Sequence, residues 1–145
     1  MALKWASIAG YVILVLALLA LIARHAIFAN SPATIAAQVL AGLLMLWARL
    51  TFGLRSFHAA ANPTQGGLVT TGPYRYLRHP IYAAVLLFLS AAVLSHLSPL
   101  NAFLVLVAAI AVAMRIFAEE CLLAERYPDY AAYAARTKRV IPFLL

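Results

Sequence analysis

GGLVTTGPYRYLRHPIY, Gly66 to Tyr82, is the stretch on which the fold turns. It gathers Arg75, Arg78, His79, three tyrosines and three glycines, and it lies directly between apolar runs of membrane-spanning length. Only 10% of the chain is charged and 66% is hydrophobic, against roughly 45–50% apolar residues in soluble domains. Charged groups near a bilayer are costly, so they face a partner, a cavity or the headgroups. A second polar patch, Arg115 to Glu120 (RIFAEE), carries the only adjacent carboxylates and ends the last apolar run.

Outward from these patches run four apolar segments: Trp5–Ala23, Ala33–Leu54 (interrupted by Arg49), Ile81–Leu97 and Leu100–Ala118 (interrupted by Arg115). The first two are long enough to cross a hydrocarbon core of about 30 Å. The third gives about 26 Å at roughly 1.5 Å per residue. Ser98-Pro99 breaks the third from the fourth, and spanning segments must satisfy their own backbone, which predicts a helical hairpin. The expected fold is an all-α membrane protein with about four transmembrane helices, in one domain over residues 1–145. Met1–Ala23 reads as an uncleaved first span, because its apolar run exceeds the 7–15 or so residues of a signal-peptide core and no convincing cleavage site follows.

The net charge of +7 invites a nucleic-acid reading, but no basic, aromatic-interleaved surface stands apart from the spans. Positive loops that fix topology explain it better. Lys4, Arg49, Arg55, Arg75, Arg78, Arg115, Arg126, Arg136, Lys138 and Arg139 fall on one side and Arg24 alone on the other, ten against one. Both termini and the second loop are therefore expected in the cytoplasm, at the inner membrane if the source is bacterial. The single cysteine, Cys121, excludes an internal disulfide, and the four scattered histidines offer no metal-ligand spacing.

The loop from Arg55 to His79 is long for a compact domain, and such loops are functional or disordered. Its Gly66-Gly67 and Gly72-Pro73 turns, with Tyr74 and Tyr76, argue for order. The tail from Glu119 to Arg136 reads as an interfacial helix broken near Tyr127-Pro128, where proline is tolerated at the start of a new helix. Tyr127, Tyr130 and Tyr133 are expected at headgroup level as an aromatic belt.

In Arg78-His79-Pro80 the proline suits a helix start and pushes His79 out of helical geometry, with Tyr82 one turn further in. A capping turn with basic side chains reaching for phosphates is an equally simple reading. Glu119 and Glu120 lie about 100° apart on a helix, so both are not expected to face one ligand. Arg115 pairs with Glu119 at i, i+4, which leaves Glu120 to look sideways, and a membrane-exit helix would show the same pattern. Together, however, the two patches sit at the same end of one hairpin. They predict a pocket of tyrosines, arginines, His79 and two carboxylates that is open to lipid.

LVTTGPYRYLRHPIY, then Arg-x3-Glu-Glu, then LLAERYPDYAAYAARTKRVIPFL closely resembles the isoprenylcysteine carboxyl methyltransferase family, over roughly half the chain from Gly67 to about Phe143. Tyr127-Pro128 departs from the family's frequent Phe-Gly. The resemblance implies that residues 1–54 supply N-terminal spans and residues 55–145 the cofactor-binding half. It implies S-adenosyl-L-methionine as methyl donor, held by Leu68, Val69, Gly72, Tyr74, Arg78, His79, Pro80, Tyr82, Glu119 and Glu120, with Arg115 and Arg75 as catalytic residues. Residue chemistry agrees: a carboxylate suits an ammonium or hydroxyls, and tyrosine faces suit a sulfonium. The implied acceptor is lipophilic, a prenylated or lipid substrate whose carboxylate Arg115 would hold. A phospholipid N- or thiol S-methyltransferase is the nearest alternative. A sterol-reductase-like NADPH enzyme is a further one, disfavoured by Ile81 where that group has Asn, and a non-catalytic membrane protein is the last. No nucleic-acid partner is expected, and nothing in the chain sets an oligomeric state.

Overall fold

The computed structural model describes residues 2–53 and 67–141. Residues 54–66, which include Arg55, Gly66 and the start of the second loop, lie outside the described residues, as does Phe143. Five helices follow in order: α1 Ala2–Ala23, α2 Pro32–Phe52, α3 Pro80–Ser95, α4 Pro99–Arg126 and α5 Tyr130–Arg136, with a 3-10 turn at Gly72–Arg75 before α3. Among the described residues there is no strand, only an isolated parallel bridge between Leu77 and Lys138. Three helices, α1, α2 and α4, are long and apolar enough to cross a membrane, and α3 is a shorter apolar helix of 16 residues.

Local chemistry sets the boundaries. Ser31 caps α2 in a reciprocal box with Thr34, and Pro32 opens the helix. Ser98 accepts from the Asn101 amide at 3.1 Å and Pro99 opens α4, which makes the expected hairpin break. Pro80 opens α3 from a non-helical His79 (φ −127°, ψ 58°), in keeping with the bias of the residue before proline away from the α region. The tail breaks at Tyr127-Pro128, but the next helix begins two residues later, at Tyr130.

The helices pack as two pairs, α1 on α4 and α2 on α3, with α3 and α4 touching less. Leu14, Ala17, Leu21, Leu89, Ala108, Ala111 and Val112 form the buried seam. Gly10 allows the close α1–α4 approach, because a Cβ there would stand 2.9 Å from the Ala111 carbonyl oxygen and 3.0 Å from Arg115 Cγ. At one end the turns are tied by polar bonds, including Arg24 Nε to Asn101 Oδ1 at 2.7 Å, Asn101 Nδ2 to the His96 carbonyl at 2.7 Å and Gln38 Nε2 to the Ile27 carbonyl at 2.9 Å. The other end gathers the start of α1, the end of α2, the 3-10 turn, the start of α3, the end of α4 and α5. One expectation is corrected there. Tyr130 and Tyr133 are buried, each 6% exposed, and form no exposed belt. They pack against each other edge to face with ring centroids 6.2 Å apart, and the Tyr133 hydroxyl donates to the Tyr74 carbonyl at 2.8 Å, which draws α5 inward under the 3-10 turn.

Candidate functional site

The sequence after the 3-10 turn runs in an extended path beside the chain's tail. Lys138 N donates to the Tyr76 carbonyl, Arg78 N to the Lys138 carbonyl and His79 N to the Arg139 carbonyl, at 3.1, 2.6 and 3.0 Å. That pairing turns Arg78 and His79 toward the last turns of α4. Arg78 Nε meets Glu120 Oε1 at 2.9 Å, and its Nη1 donates to the Ala134 and Thr137 carbonyls of the α5 region at 2.8 and 2.5 Å. Arg139 closes on the other oxygen, with Nε and Nη2 at 3.0 and 2.9 Å from Glu120 Oε2. Glu120 thus lies between two guanidinium groups.

Glu119 is held from the other side. The Tyr82 hydroxyl donates to Glu119 Oε1. Arg115 reaches the same oxygen with Nη2 at 3.4 Å, the Tyr82 hydroxyl with Nε at 2.7 Å and the Ser7 carbonyl with Nη1 at 3.0 Å. Its guanidinium also lies over the Tyr11 ring, 5.2 Å from the centroid. Arg115 is 5% exposed, and such burial of a charge is tolerable because carboxylate, hydroxyl, carbonyl and ring surround it.

His79 lies between the two carboxylates, Nδ1 at 3.7 Å from Glu119 Oε2 and Nε2 at 3.4 Å from Glu120 Oε1. The 100° separation along α4 does not keep the two apart, because the imidazole enters from α3 with a ring nitrogen on each side. His79 is 5% exposed, and its Nε2 makes no hydrogen bond despite the nearby carboxylate. The Tyr130 hydroxyl is likewise buried without a well-directed hydrogen bond, with Glu120 the strongest charge acting on it. Burial raises the pKa of the Tyr74 and Tyr130 phenols and pushes Tyr133 up to about 12, so all three are neutral donors at ordinary pH.

Of the residues singled out from sequence, Arg78, His79, Tyr82, Arg115, Glu119 and Glu120 converge. Pro80 stands beside them as the first residue of α3. Tyr74 is buried against Phe52, ring centroids 5.4 Å apart, and reaches the cluster through Tyr133. Leu68 and Val69 lie half-buried on the extended approach to the 3-10 turn. Gly72, at φ +56°, abuts α2, where a Cβ would be 2.5 Å from Thr51 Oγ1. Arg75 is exposed on the 3-10 turn and is not brought into the cluster. Sequence reasoning missed Ser7, Tyr11, Tyr130 and Arg139. The two from α1 carry no motif, whereas Tyr130 and Arg139 sit in the tail segment that resembles the family and could have been weighed there.

Comparison with known proteins bears on this arrangement. The sequence model described as phospholipid methyltransferase matches residues 39–130, more than half of the chain, from the middle of α2 to the first residue of α5. The cobalt-zinc-cadmium resistance protein CzcN of Cupriavidus metallidurans is 37% identical over 78 residues, which take in 53% of this chain and 36% of that protein. The chain therefore spans well under two thirds of that relative's length. No solved structure gives a significant match.

Proposed function

This chain belongs to the phospholipid methyltransferase family, and we propose that it transfers a methyl group from S-adenosyl-L-methionine to the carboxylate of a lipophilic acceptor at the Arg78–His79–Glu119–Glu120 cluster. One observation carries the reading: two adjacent carboxylates of α4 flank a buried imidazole whose Nε2, 3.4 Å from Glu120 Oε1, forms no well-directed hydrogen bond. Buried polar atoms are nearly always hydrogen-bonded, so His79 Nε2 supports a ligand in this place. Glu120, His79 and Tyr82 are the residues that would hold the donor, while Leu68 and Val69 border it. When bound, the donor supplies an electrophilic methyl on a sulfonium. The protein's part is to orient, to exclude water and to stabilise charge. An ionised carboxylate acceptor needs no base, and both glutamates are already committed to arginines. Arg115 is engaged by Ser7, Tyr82 and Glu119, so we assign it a positioning role toward Tyr82 and Glu119 in place of a grip on the acceptor. Arg75, exposed on the 3-10 turn, remains the candidate cation for an anionic head group.

A second reading, methylation of a phospholipid amine, is supported by the family's description and by the same His79 nitrogen, which could take an ammonium proton. Acceptors sharing one long chain but ending in carboxylate, amine or thiol separate the two. With a carboxylate, activity should be flat above about pH 5 or 6. With an amine, it should climb with pH as the ammonium deprotonates. The donor assignment is tested by S-adenosylhomocysteine binding: Glu120→Gln should weaken it by about 10- to 150-fold, the worth of a charge-assisted bond of about 1.5–3 kcal/mol. Unchanged binding in both Glu119→Gln and Glu120→Gln would remove the cluster from the donor site.

A further inference from the structure

The chain has 4 carboxylate side chains against 11 Lys and Arg, and the cluster engages two of the carboxylates. Glu119 faces Arg115, and Glu120 faces Arg78 and Arg139. Just outside the cluster a seam of cations is left over. Leu77 and Lys138 form a parallel bridge, which joins the segment after the 3-10 turn to the tail. Arg75 and Tyr76 stand exposed on one side of this seam, and Arg136, Lys138 and Ile141 on the other. Among the described residues, Arg75, Arg136 and Lys138 meet no carboxylate. The inner face of the seam is fixed, since Leu77 and Thr137 are buried and the Tyr133 hydroxyl holds the Tyr74 carbonyl. Its outer face therefore presents well-placed cations beside an aromatic ring and an aliphatic side chain, Tyr76 57% and Ile141 44% exposed. Cations suit lipid phosphates, and a tyrosine ring suits the boundary where headgroups meet acyl chains. Depth agrees with this chemistry. The bridge lies just before Pro80, the first residue of α3. That apolar helix spans about 24 Å at roughly 1.5 Å per residue, less than a hydrocarbon core of about 30 Å, so its start, embedded with the helix, lies no further out than the headgroups. We propose that the seam between the 3-10 turn and the tail is a docking surface for the headgroups of anionic phospholipids in the surrounding leaflet. Occupancy reaches the cluster through the backbone. Lys138 donates its N–H to the Tyr76 carbonyl, and its own carbonyl accepts from the Arg78 N–H, while Arg78 Nε holds Glu120. A phosphate that pins the Lys138 side chain steadies the residue whose backbone places Arg78.

The test compares full-length protein in nanodiscs of phosphatidylcholine alone and of phosphatidylcholine with one third phosphatidylglycerol, with no methyl donor or acceptor added. Phosphatidylglycerol should raise the melting temperature by about 3–8 °C at low salt, as a ligand of the folded state does, and molar salt should erase the gain by screening. The backbone amides of Arg78 and His79 should exchange hydrogen more slowly in the anionic discs. The double variant Arg136→Gln, Lys138→Gln should melt like wild type in phosphatidylcholine and lose most of the gain. Arg126→Gln, which removes an exposed cation at the end of α4 away from the seam, should keep it. No gain for wild type, or a gain that the double variant retains, overturns the proposal. So does an equal loss in Arg126→Gln, which would make the effect one of net charge. An equal gain from inorganic phosphate added to protein in detergent would make the seam a site for free anions and overturn the lipid assignment. A gain without slower exchange at Arg78 and His79 would place the lipids elsewhere on the molecule, and the proposal would fall.

Discussion

At the scale of single residues, Arg115 shows what the sequence could and could not say. Its i, i+4 pairing with Glu119 was legible from spacing alone, but its bond to the Ser7 carbonyl, 108 positions away in the chain, was not, since nothing in α1 marks Ser7. That bond changes the expected phenotype. A lysine keeps the charge but cannot meet Ser7, Tyr82 and Glu119 together with one ammonium. Arg115→Lys should therefore lower the melting temperature and cut kcat by up to about 10²-fold through misplacement, with the KM for acceptor little changed. A selective rise in acceptor KM at unchanged stability would return Arg115 to the acceptor. Tyr133 gives a pH prediction. Its pKa rises from 10 unfolded to about 12 folded, through burial. The folded state thus favours the neutral phenol, and the stability this confers is complete below pH 10 and is lost as pH rises from 10 through 12. Tyr74 and Tyr130 act in the same direction. Thermal melts of detergent-solubilised protein should fall steeply between pH 10 and 12. Tyr133→Phe should flatten that fall while starting from a lower plateau, since the Tyr74 carbonyl loses its donor.

At the scale of elements, three of the helices were legible from their own punctuation, opened by Ser31-Pro32, His79-Pro80 and Ser98-Pro99. The pairing of those helices was not, because hydropathy says that a face is apolar and not which face it meets. Glycines record the pairing. Gly10 meets backbone, the Ala111 carbonyl, which cannot rotate away. Gly10→Val should cost about 1–3 kcal/mol as an overpacked contact, and by prising α1 from α4 it should also weaken the Ser7–Arg115 bond. Gly72 faces a double constraint: its positive φ disfavours any side chain, and Thr51 Oγ1 is anchored to the Trp47 carbonyl at 2.9 Å. Gly72→Ala should destabilise by about 1–3 kcal/mol. Adding Thr51→Ala should restore only part of this, because the steric clash is relieved while the backbone strain stays. Full restoration in melting experiments would place the whole penalty in the contact. The inward turn of α5 was hidden for a related reason: a tyrosine suits a headgroup belt and a buried hydrogen bond equally, and only the Tyr74 carbonyl, brought close by the 3-10 turn, decides between them.

At the scale of the whole molecule, the two ends of the bundle differ in a way that bears on how it sits in the bilayer. One end holds the arginine–glutamate cluster and most of the exposed cations. The other ends in short turns with Phe28 72% and Leu97 75% exposed. Helix α3 has 16 residues, about 24 Å at roughly 1.5 Å per residue, against a hydrocarbon core of about 30 Å. If the cluster lies at one interface, the α3–α4 turn stops short of the other. A turn in that position must satisfy its polar groups internally, and this one does: Arg24, Asn101, His96, Gln38 and Ser95 bond to one another's elements across the α1–α2 and α3–α4 turns. By the positive-inside rule, the ten-to-one distribution of Lys and Arg leads us to expect the cluster end in the cytoplasm. Reporter fusions after Ser98 and after Leu145 should therefore report opposite sides. Submergence adds a finer expectation. In a Cys121→Ser background, Leu97→Cys should react slowly with a membrane-impermeant maleimide from outside the cell until detergent is added, although Leu97 is 75% exposed among the described residues. Lys138→Cys should react promptly, but only from the cytoplasmic face. Rapid outside labelling at position 97 in intact cells would place that turn in water and require α3 to tilt less or the bilayer to thin around it. Labelling of both positions from the same side would refute the alternating topology itself.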